Sequence, residues 1–224
     1  MTVKESYDLA GTTTTWGIPD LRDNLAHTDA LAIQRLKAAG AVVFGKTNVP
    51  IRLADFQSYN ALYGTTHNPW KHGATPGGSS GGSAAALAAG LTGLEIGSDI
   101  GGSIRNPSHY CGVFGLKPTW NLLPMRGHAL GGVLTPTDIS VIGPLARSAH
   151  DLETALRLMS PPDLIEARGL RVDLPGLTEP TRALRVAVWR TDALCPVSAA
   201  VQARVDAVAA ALARIVRTRF SALR

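Results

Sequence analysis

The chain has 224 residues, of which 45% are hydrophobic and 17% charged, and this globular composition excludes an intrinsically disordered protein. Its formal net charge is only +5, and the basic residues are scattered with few aromatic residues among them, so the charge does not favour a nucleic-acid partner. It contains no run of about 18 apolar residues, so we expect no membrane-spanning helix.

The first predicted unit is a helix followed by a strand. Thr28 is a candidate helix N-cap and Gly40 can end the helix, whose apolar stripe comprises Leu31, Leu36 and Ala39. The segment "AVVFG", residues 41–45, is short and rich in β-branched residues, which predicts a buried strand. Residues 52–72 show no clear period and are interpreted as loop and short helix.

Two glycine- and serine-rich segments follow, "TPGGSSGGS" at 75–83 and "SDIGGS" at 98–103. Between them, "GGSAAALAAG" (81–90) predicts a helix of small residues and "TGLEIG" (92–97) a strand. Glycine is costly to order on folding, so it tends to occur where a side chain would obstruct a close approach. The pattern fits either a pair of flexible linkers or a site where backbone approaches a reacting atom.

The downstream half continues the alternation of strands and helices. "YCGVFGLKPT" (110–119) predicts a strand, and "SAHDLETALRLM" (148–159) predicts a helix with Ser148 and Asp151 in a capping box. Proline and charge dominate residues 161–182, which we interpret as a surface excursion.

The last elements are a strand, "ALRVAVW" (183–189), and an amphipathic helix over 198–215. The apolar stripe of that helix comprises Val201, Val205, Val208 and Leu212. A basic tail covers 214–224. The alternation predicts an α/β layered fold with a largely parallel or mixed sheet, and the length allows one large domain or two small ones.

Several kinds of chemistry are not indicated. The sequence has no phosphate-binding GxxxxGK[ST], no GxGxxG opening a helix, no HExxH, no CxxC and no carboxylate cluster, so we expect no cofactor and no metal. The six histidines are scattered and are interpreted as surface or loop residues. Cys111 and Cys195 are predicted to be buried thiols in a reducing compartment, which favours a cytoplasmic location.

Serine chemistry remains. A serine hydroxyl needs a base to become a nucleophile, and a lysine serves if burial lowers its pKa. Consecutive glycine N–H groups beside Ser103 have the composition of an oxyanion hole. On the residues alone, acyl transfer is a hypothesis.

The stretches "PGGSSGGSAAALAAG" and "GSDIGGSIRNPSHYCGVFGLKPT" resemble the amidase signature family of serine hydrolases. "GAVVFGKTNVP", "GTTHNPW" and "ISVIGPLARSAHDL" are also similar to family segments, and the resemblance weakens after about residue 190. Family members are about twice as long, so the resemblance implies a single partial domain over 1–224, truncated at both ends, with a mixed β-sheet core flanked by α-helices.

The resemblance implies a serine–serine–lysine triad. Ser103 would be the nucleophile, Ser79 the bridging serine after a cis Gly78–Ser79 bond, and Lys4 the base. The implied oxyanion hole uses the backbone N–H groups of Ile100, Gly101, Gly102 and Ser103. Lys46 and Lys117 are interpreted as structural, as is the Asp99–Arg105 pair, and Ser98 is interpreted as a helix-cap or loop hydroxyl.

The implied function is an amidase that hydrolyses a small-molecule carboxylic acid amide to the acid and ammonia or an amine. One alternative is the amidase subunit of a tRNA-dependent amidotransferase, although "WNLLPMRGHALGG" (120–132) does not resemble that subunit's usual continuation. Another is an inactive remnant, because Lys4 is close to the first residue, where chains fray. Association into a homo-oligomer stays open.

Overall fold

The computed structural model describes residues 1–133, 135, 137–176 and 184–216, with helices and short strands in alternation. The strands are β1 (Val3–Lys4), β2 (Lys46–Thr47), β3 (Tyr59–Asn60), β4 (Gly64–Thr65), β5 (Leu94–Asp99), β6 (Phe114–Gly115) and β7 (Val141–Ala146). The helices are α1 (Leu31–Ala38), α2 (Gly81–Ala88), α3 (Arg105–Cys111), α4 (Ala149–Met159) and α5 (Ala199–Ala213). Short 3-10 turns occur at Pro19–Leu21, Ile51–Leu53 and Glu166–Arg168.

The strands pair in both directions. β5, β7 and β6 form an antiparallel sheet in that order, β1 pairs with β2 in parallel, and β3 and β4 form an antiparallel pair. Helix α2 contacts β5 and β7, α4 contacts β7, and β1 lies beside β5. This arrangement confirms the predicted α/β class with mixed strand directions.

The sheet of β5 and β7 is buried on both faces. Ile96 and Ile142 belong to a core that also includes residues of α1 and α4, among them Ile33, Leu36 and Met159. Leu145 faces the other way and packs in a second core with Ala84, Leu87, Ile104 and Cys111. Because successive strand residues point to opposite faces, one sheet supplies both cores.

The predicted helices are confirmed, with differences at their ends and faces. α1 begins at Leu31, and its N-cap is Ala30 rather than Thr28, with no side-chain capping bond. In α4 the Ser148 hydroxyl accepts a hydrogen bond from the Asp151 N–H at 3.1 Å, as the capping box predicts. On α5, Val201 and Val208 of the predicted stripe are exposed, so that stripe is not a buried face.

Three predicted strands need correction. Residues 41–45 form no strand. Val42 and Phe44 are 74% and 65% exposed, whereas Ala41 and Val43 pack against the core, so the segment is covered on one side only. Of 110–119, the first two residues end α3, and strand pairing is limited to β6. Residues 184–189 are not in a strand, and Ala183 lies outside the described residues.

The chain divides into two units, Met1–Val172 and Asp173–Arg224. The first holds both cores. Residues 161–176 are mostly exposed, whereas 177–182 and the part of the basic tail beyond Val216 fall outside the described residues. In the described part of the chain, no helix has the length and apolarity to cross a membrane.

Candidate active site

Lys4 is a fully buried lysine on β1. Its Nζ atom lies 2.6 Å from Ser79 Oγ and donates to Ser98 Oγ at 2.9 Å. Burial lowers the pKa of Lys4 well below its ordinary value, and the nearby Asp99 carboxylate opposes this only in part. The lowered pKa increases the fraction of neutral amine, which is the form that can accept a proton from Ser79.

The strand that carries Lys4 is anchored at this end of the chain. Pairing of β1 with β2 continues beyond the strand, since the Glu5 N–H donates to the Thr47 carbonyl at 3.0 Å. Val3 is fully buried as well. The fraying that the position in the chain suggested is therefore not observed.

Ser79 lies in the glycine-rich segment just before α2, and the Gly78–Ser79 peptide bond is cis, as the resemblance implied. Gly78 packs directly on backbone, because a Cβ there would lie 2.6 Å from the carbonyl oxygens of Asp55 and Gln57. The glycine lets the segment approach this backbone and fixes Ser79 beside Lys4.

The second glycine-rich segment is organised by Asp99 at the end of β5. The buried carboxylate accepts hydrogen bonds from the N–H groups of Gly102 (2.8 Å) and Ile104 (3.0 Å) and from the Arg105 guanidinium (2.9 Å). Burial would raise the pKa of Asp99, but these bonds hold it below the ordinary value. The pair has the structural role that the sequence suggested.

This contact corrects one expected oxyanion donor. The Gly102 N–H donates to Asp99 and is therefore not free to receive an oxyanion. The other expected donors, the N–H groups of Ile100, Gly101 and Ser103, have no acceptor within the described residues.

Ser103 lies at the wall of a cavity of about 570 Å³, together with Ser79. The two glycine-rich segments are joined by a hydrogen bond from the Ser80 N–H to the Ser103 carbonyl at 3.1 Å. Among the described residues the Ser103 hydroxyl has no hydrogen-bond partner, so the Ser79–Ser103 hydrogen bond of a relay is not formed here. The structure thus joins Lys4 to Ser79 and brings Ser103 to the same cavity.

Most of the cavity wall is apolar, and its charges are few. Apolar lining residues include Trp16, Leu53, Ile100, Met125, Leu130 and Ile165. The charged lining residues are Arg52, Glu166 and the Arg126–Asp163 ion pair, which is 2.7 Å long. Such a wall suits an organic ligand with limited polarity.

Sequence reasoning missed two polar residues of the site. Ser98 is in β5 rather than a loop, and its hydroxyl accepts from Lys4. His128 lies in a loop, as one of its two interpretations had it, but it is not a surface residue, since it lines the cavity and is only 3% exposed. The positions of Ser98 and His128 in the site both depend on residues that are distant in the chain. The local signal in the sequence was the alternation of β5, which places Ser98 on the face of Ile96.

The remaining predicted residues have structural contacts or no part in the site. Lys46 donates to the Thr13 carbonyl at 2.6 Å, and burial lowers its pKa to about 8. Cys111 is buried and its pKa is raised by burial to about 11, but Cys195 is exposed, which corrects its predicted burial. Within the described ranges, no three histidine, cysteine or acidic residues cluster as metal ligands.

The fold and site together define a class, α/β proteins in which a buried lysine contacts a serine of a glycine-rich segment. Within that class the chain belongs to the amidase family, known as the amidase signature family, whose model matches residues 1–218.

The relatives of this chain differ in activity. It is 38% identical to a glutamyl-tRNA(Gln) amidotransferase subunit of Anaeromyxobacter dehalogenans over 91% of this chain and 42% of the relative. It is 43% identical to an acylamidase of Rhodococcus erythropolis over 72% of this chain and 33% of that protein. The crystal structure of the corresponding glutamyl-tRNA(Gln) amidotransferase subunit from Thermotoga maritima superposes with a TM-score of 0.85 at 28% identity, covering 99% of this chain and 49% of that one. The chain thus spans less than half the length of these relatives.

Proposed function

We propose that this chain carries the active site of an amidase. Such an enzyme hydrolyses a carboxylic acid amide to the acid and ammonia or an amine. The observation that carries the proposal is the 2.6 Å contact between Lys4 Nζ and Ser79 Oγ in a fully buried environment. A buried amine with a lowered pKa can act as a base towards a hydroxyl, which an exposed lysine cannot do at neutral pH.

In the proposed mechanism, neutral Lys4 accepts the Ser79 proton while Ser79 accepts the proton of Ser103. Ser103 Oγ attacks the amide carbonyl carbon, and the carbonyl oxygen becomes an oxyanion. The Ser79–Ser103 hydrogen bond forms as substrate binds, since catalytic hydrogen bonds are often long without substrate. Ser79 then gives a proton to the leaving nitrogen and takes one back from Lys4, the C–N bond breaks, and the acyl group remains on Ser103.

Water completes the reaction. It attacks the acyl carbon and gives a proton to the Ser79–Lys4 pair, and the acid leaves as Ser103 regains its proton. The N–H groups of Ile100, Gly101 and Ser103 would stabilise the oxyanion in both halves of the reaction. Removing one such donor typically reduces turnover by about 10²–10³-fold.

The test is covalent labelling of the purified chain by a fluorophosphonate, followed by mass spectrometry of the labelled peptide. We expect labelling at Ser103, none in Ser103→Ala and strongly slowed labelling in Lys4→Ala. Lys117→Ala is the matched control and should label at the rate of the unaltered chain. An unlabelled chain with a folded circular dichroism spectrum would contradict the proposal and favour an inactive remnant.

A second candidate is the amidase subunit of a tRNA-dependent amidotransferase, which the name of the 38% identical relative supports. The segment 120–132, where we expect this chain to differ from that subunit, contributes much of the cavity wall, including Pro124, Met125 and His128. We therefore favour the hydrolase. Ammonia release from simple amides by the chain alone supports the hydrolase, and activity only with partner subunits and charged tRNA supports the amidotransferase.

A further inference from the structure

Backbone strain in this chain is concentrated on the cavity wall. In the described part of the chain, the residues other than glycine with a positive φ are Trp16, Arg52, Leu53, Asn121 and Ile139. All of them except Ile139 line the cavity that also holds Ser79 and Ser103. This left-handed conformation is uncommon outside glycine, and strained residues of this kind cluster at active sites and ligand clamps. The strained wall is therefore a candidate for ligand recognition.

Arg52 is the charged member of this group, with φ 54° and ψ 17°. Its guanidinium forms no ion pair and no hydrogen bond with another of the described residues. Arg52 lines the cavity and is exposed, so a ligand in the cavity can reach its side chain. The strain at Arg52 is thus not compensated by any contact that its side chain makes within the described residues.

The acidic residues of the cavity wall, Asp163 and Glu166, lie beside other arginines. Asp163 forms its 2.7 Å ion pair with Arg126. Burial lowers the pKa of Arg35, and the nearby Asp163 and Glu166 carboxylates oppose this lowering. Both acidic residues therefore already have cations near them, and Arg52 remains available to an anion from outside the chain.

The backbone of Arg52 is held in place by contacts that lead to the proposed catalytic residues. Its N–H donates to the Trp16 carbonyl at 2.8 Å, and the Trp16 N–H donates at 2.8 Å to Glu5 Oε2, on the residue that follows the buried lysine. Further along the same turn, the backbone of 55–57 packs on Gly78, just before the bridging serine. The point from which the Arg52 side chain extends is therefore fixed relative to both the lysine and the serine.

We propose that Arg52 binds a carboxylate of the substrate, separate from the scissile carbonyl. The two oxygens of a carboxylate match the planar N–H fork of a guanidinium, which favours this anion. The apolar wall, which includes Leu53 and Met125, would then contact the body of the same molecule. The substrate class is an amide whose acyl or amine part carries a carboxylate on an otherwise apolar body. This inference rests on the proposed function of the cavity.

The test compares two ligands of nearly equal size, N-phenylsuccinamic acid and its primary carboxamide, in which a neutral amide replaces the carboxylate. Affinities are measured at neutral pH by calorimetry on the Ser103→Ala variant, which cannot form the acyl-enzyme. We expect the acid to bind about 5- to 20-fold more tightly, between the effects of an exposed ion pair and of a hydrogen bond to a charged group. Arg52→Gln, added to Ser103→Ala, should reduce this ratio to about one. Arg52→Lys should keep part of it, because the charge remains without the planar fork.

Arg22→Gln is the matched control, because Arg22 is an exposed arginine that does not line the cavity and that donates to the Pro19 carbonyl at 3.3 Å. It should leave the affinity ratio unchanged. A second readout is the Arg52 Nε–H signal of the ¹⁵N-labelled Ser103→Ala protein, assigned by its absence from the spectrum of the Arg52→Lys variant. At about pH 6, where the ligand carboxylate is still ionised, this signal should shift with the acid and not with the carboxamide.

Equal affinities for the two ligands, binding of neither, or a ratio that survives Arg52→Gln would overturn the inference. A ratio that Arg126→Gln abolishes and Arg52→Gln does not would assign the carboxylate to the other wall of the cavity. Because the affinity ratio is measured without turnover, it is independent of catalysis. Failure of the proposed function would instead appear as absent fluorophosphonate labelling of the unaltered chain, even where the affinity ratio is as expected.

Discussion

The residue that matters most for the proposed chemistry is Lys4, whose environment is set by burial. Ser79 and Ser98 contact its amine, and the low pKa keeps part of the population neutral where an exposed lysine would be charged. Because only the neutral amine can accept a proton, the labelling rate should fall as pH is lowered through the Lys4 pKa.

Lys4→Met should reduce the labelling rate by about 10²–10⁴-fold, the usual contribution of a general base, and should remove this acidic limb of the pH profile. The measurement is the second-order rate constant for fluorophosphonate labelling across pH. Lys117→Met should retain both the rate and the limb. An unchanged acidic limb in Lys4→Met would assign the titrating group elsewhere.

Glu95 is a buried carboxyl group outside the proposed chemistry, and we expect it to affect stability rather than turnover. Its Oε1 accepts hydrogen bonds from the Thr2 N–H and hydroxyl, whereas Oε2 has no partner within the described residues. Burial raises the pKa of Glu95 despite the hydrogen bonds that oppose it. The folded state therefore favours the protonated acid and loses stability as pH rises through the folded-state pKa.

Glu95→Gln keeps the acceptor for Thr2 and does not titrate. Its free energy of unfolding should therefore increase relative to the unaltered chain as pH rises through that pKa. Urea unfolding at a series of pH values measures this difference in the free energy of unfolding. The control is Glu153→Gln, which removes an exposed ion pair with Arg157 and should give a difference that is nearly constant with pH. Parallel curves for Glu95→Gln would show that Glu95 is ionised at little cost.

At the scale of elements, the start of α2 depends on glycines that pack on other backbone. A Cβ at Gly82 would lie 2.5 Å from the Asn48 nitrogen and 2.6 Å from its carbonyl oxygen, neither of which can move away easily. Gly82→Ala should therefore destabilise the fold by about 1–3 kcal/mol, as overpacking usually does. It should also slow Ser103 labelling, because Ser79 precedes this turn.

Gly93→Ala is the matched control, since a Cβ there meets nothing within 4 Å. Thermal unfolding should show a lower Tm for Gly82→Ala and an unchanged or slightly higher one for Gly93→Ala. Equal Tm values for the two variants would mean that α2 can shift away from Asn48.

The sequence predicted those helices that are encoded by a local pattern of residues. The capping pair at Ser148 and the run of small residues before Gly90 both encode helices that the structure contains. The buried strand predicted at 41–45 was wrong, because a run of apolar residues does not distinguish a buried strand from a segment that is covered on one side only. The resemblance supplied Lys4 and Ser79, which are 75 residues apart, whereas the Ser6–His128 contact had no local signal.

At the scale of the whole molecule, the two units differ in regular structure. Met1–Val172 contains both cores and the cavity, whereas the described residues from Asp173 to Ser198 form no helix or strand. Segments with few buried contacts open locally at low cost and are cleaved first by proteases. Trypsin should therefore cut first after Arg171, Arg185 or Arg190, which are exposed in the described part of this unit and the residues just before it.

The fragment that remains should begin at Met1 and keep Lys4, Ser79 and Ser103 together. We expect it to carry the fluorophosphonate label in a time course followed by mass spectrometry. Replacing Arg171, Arg185 and Arg190 by Gln should delay the first cut, whereas Arg204→Gln, within α5, should not. If the first cuts fell inside Met1–Ser160, the cavity-bearing unit would be the less stable part of the chain, and labelling would be lost as cleavage proceeds.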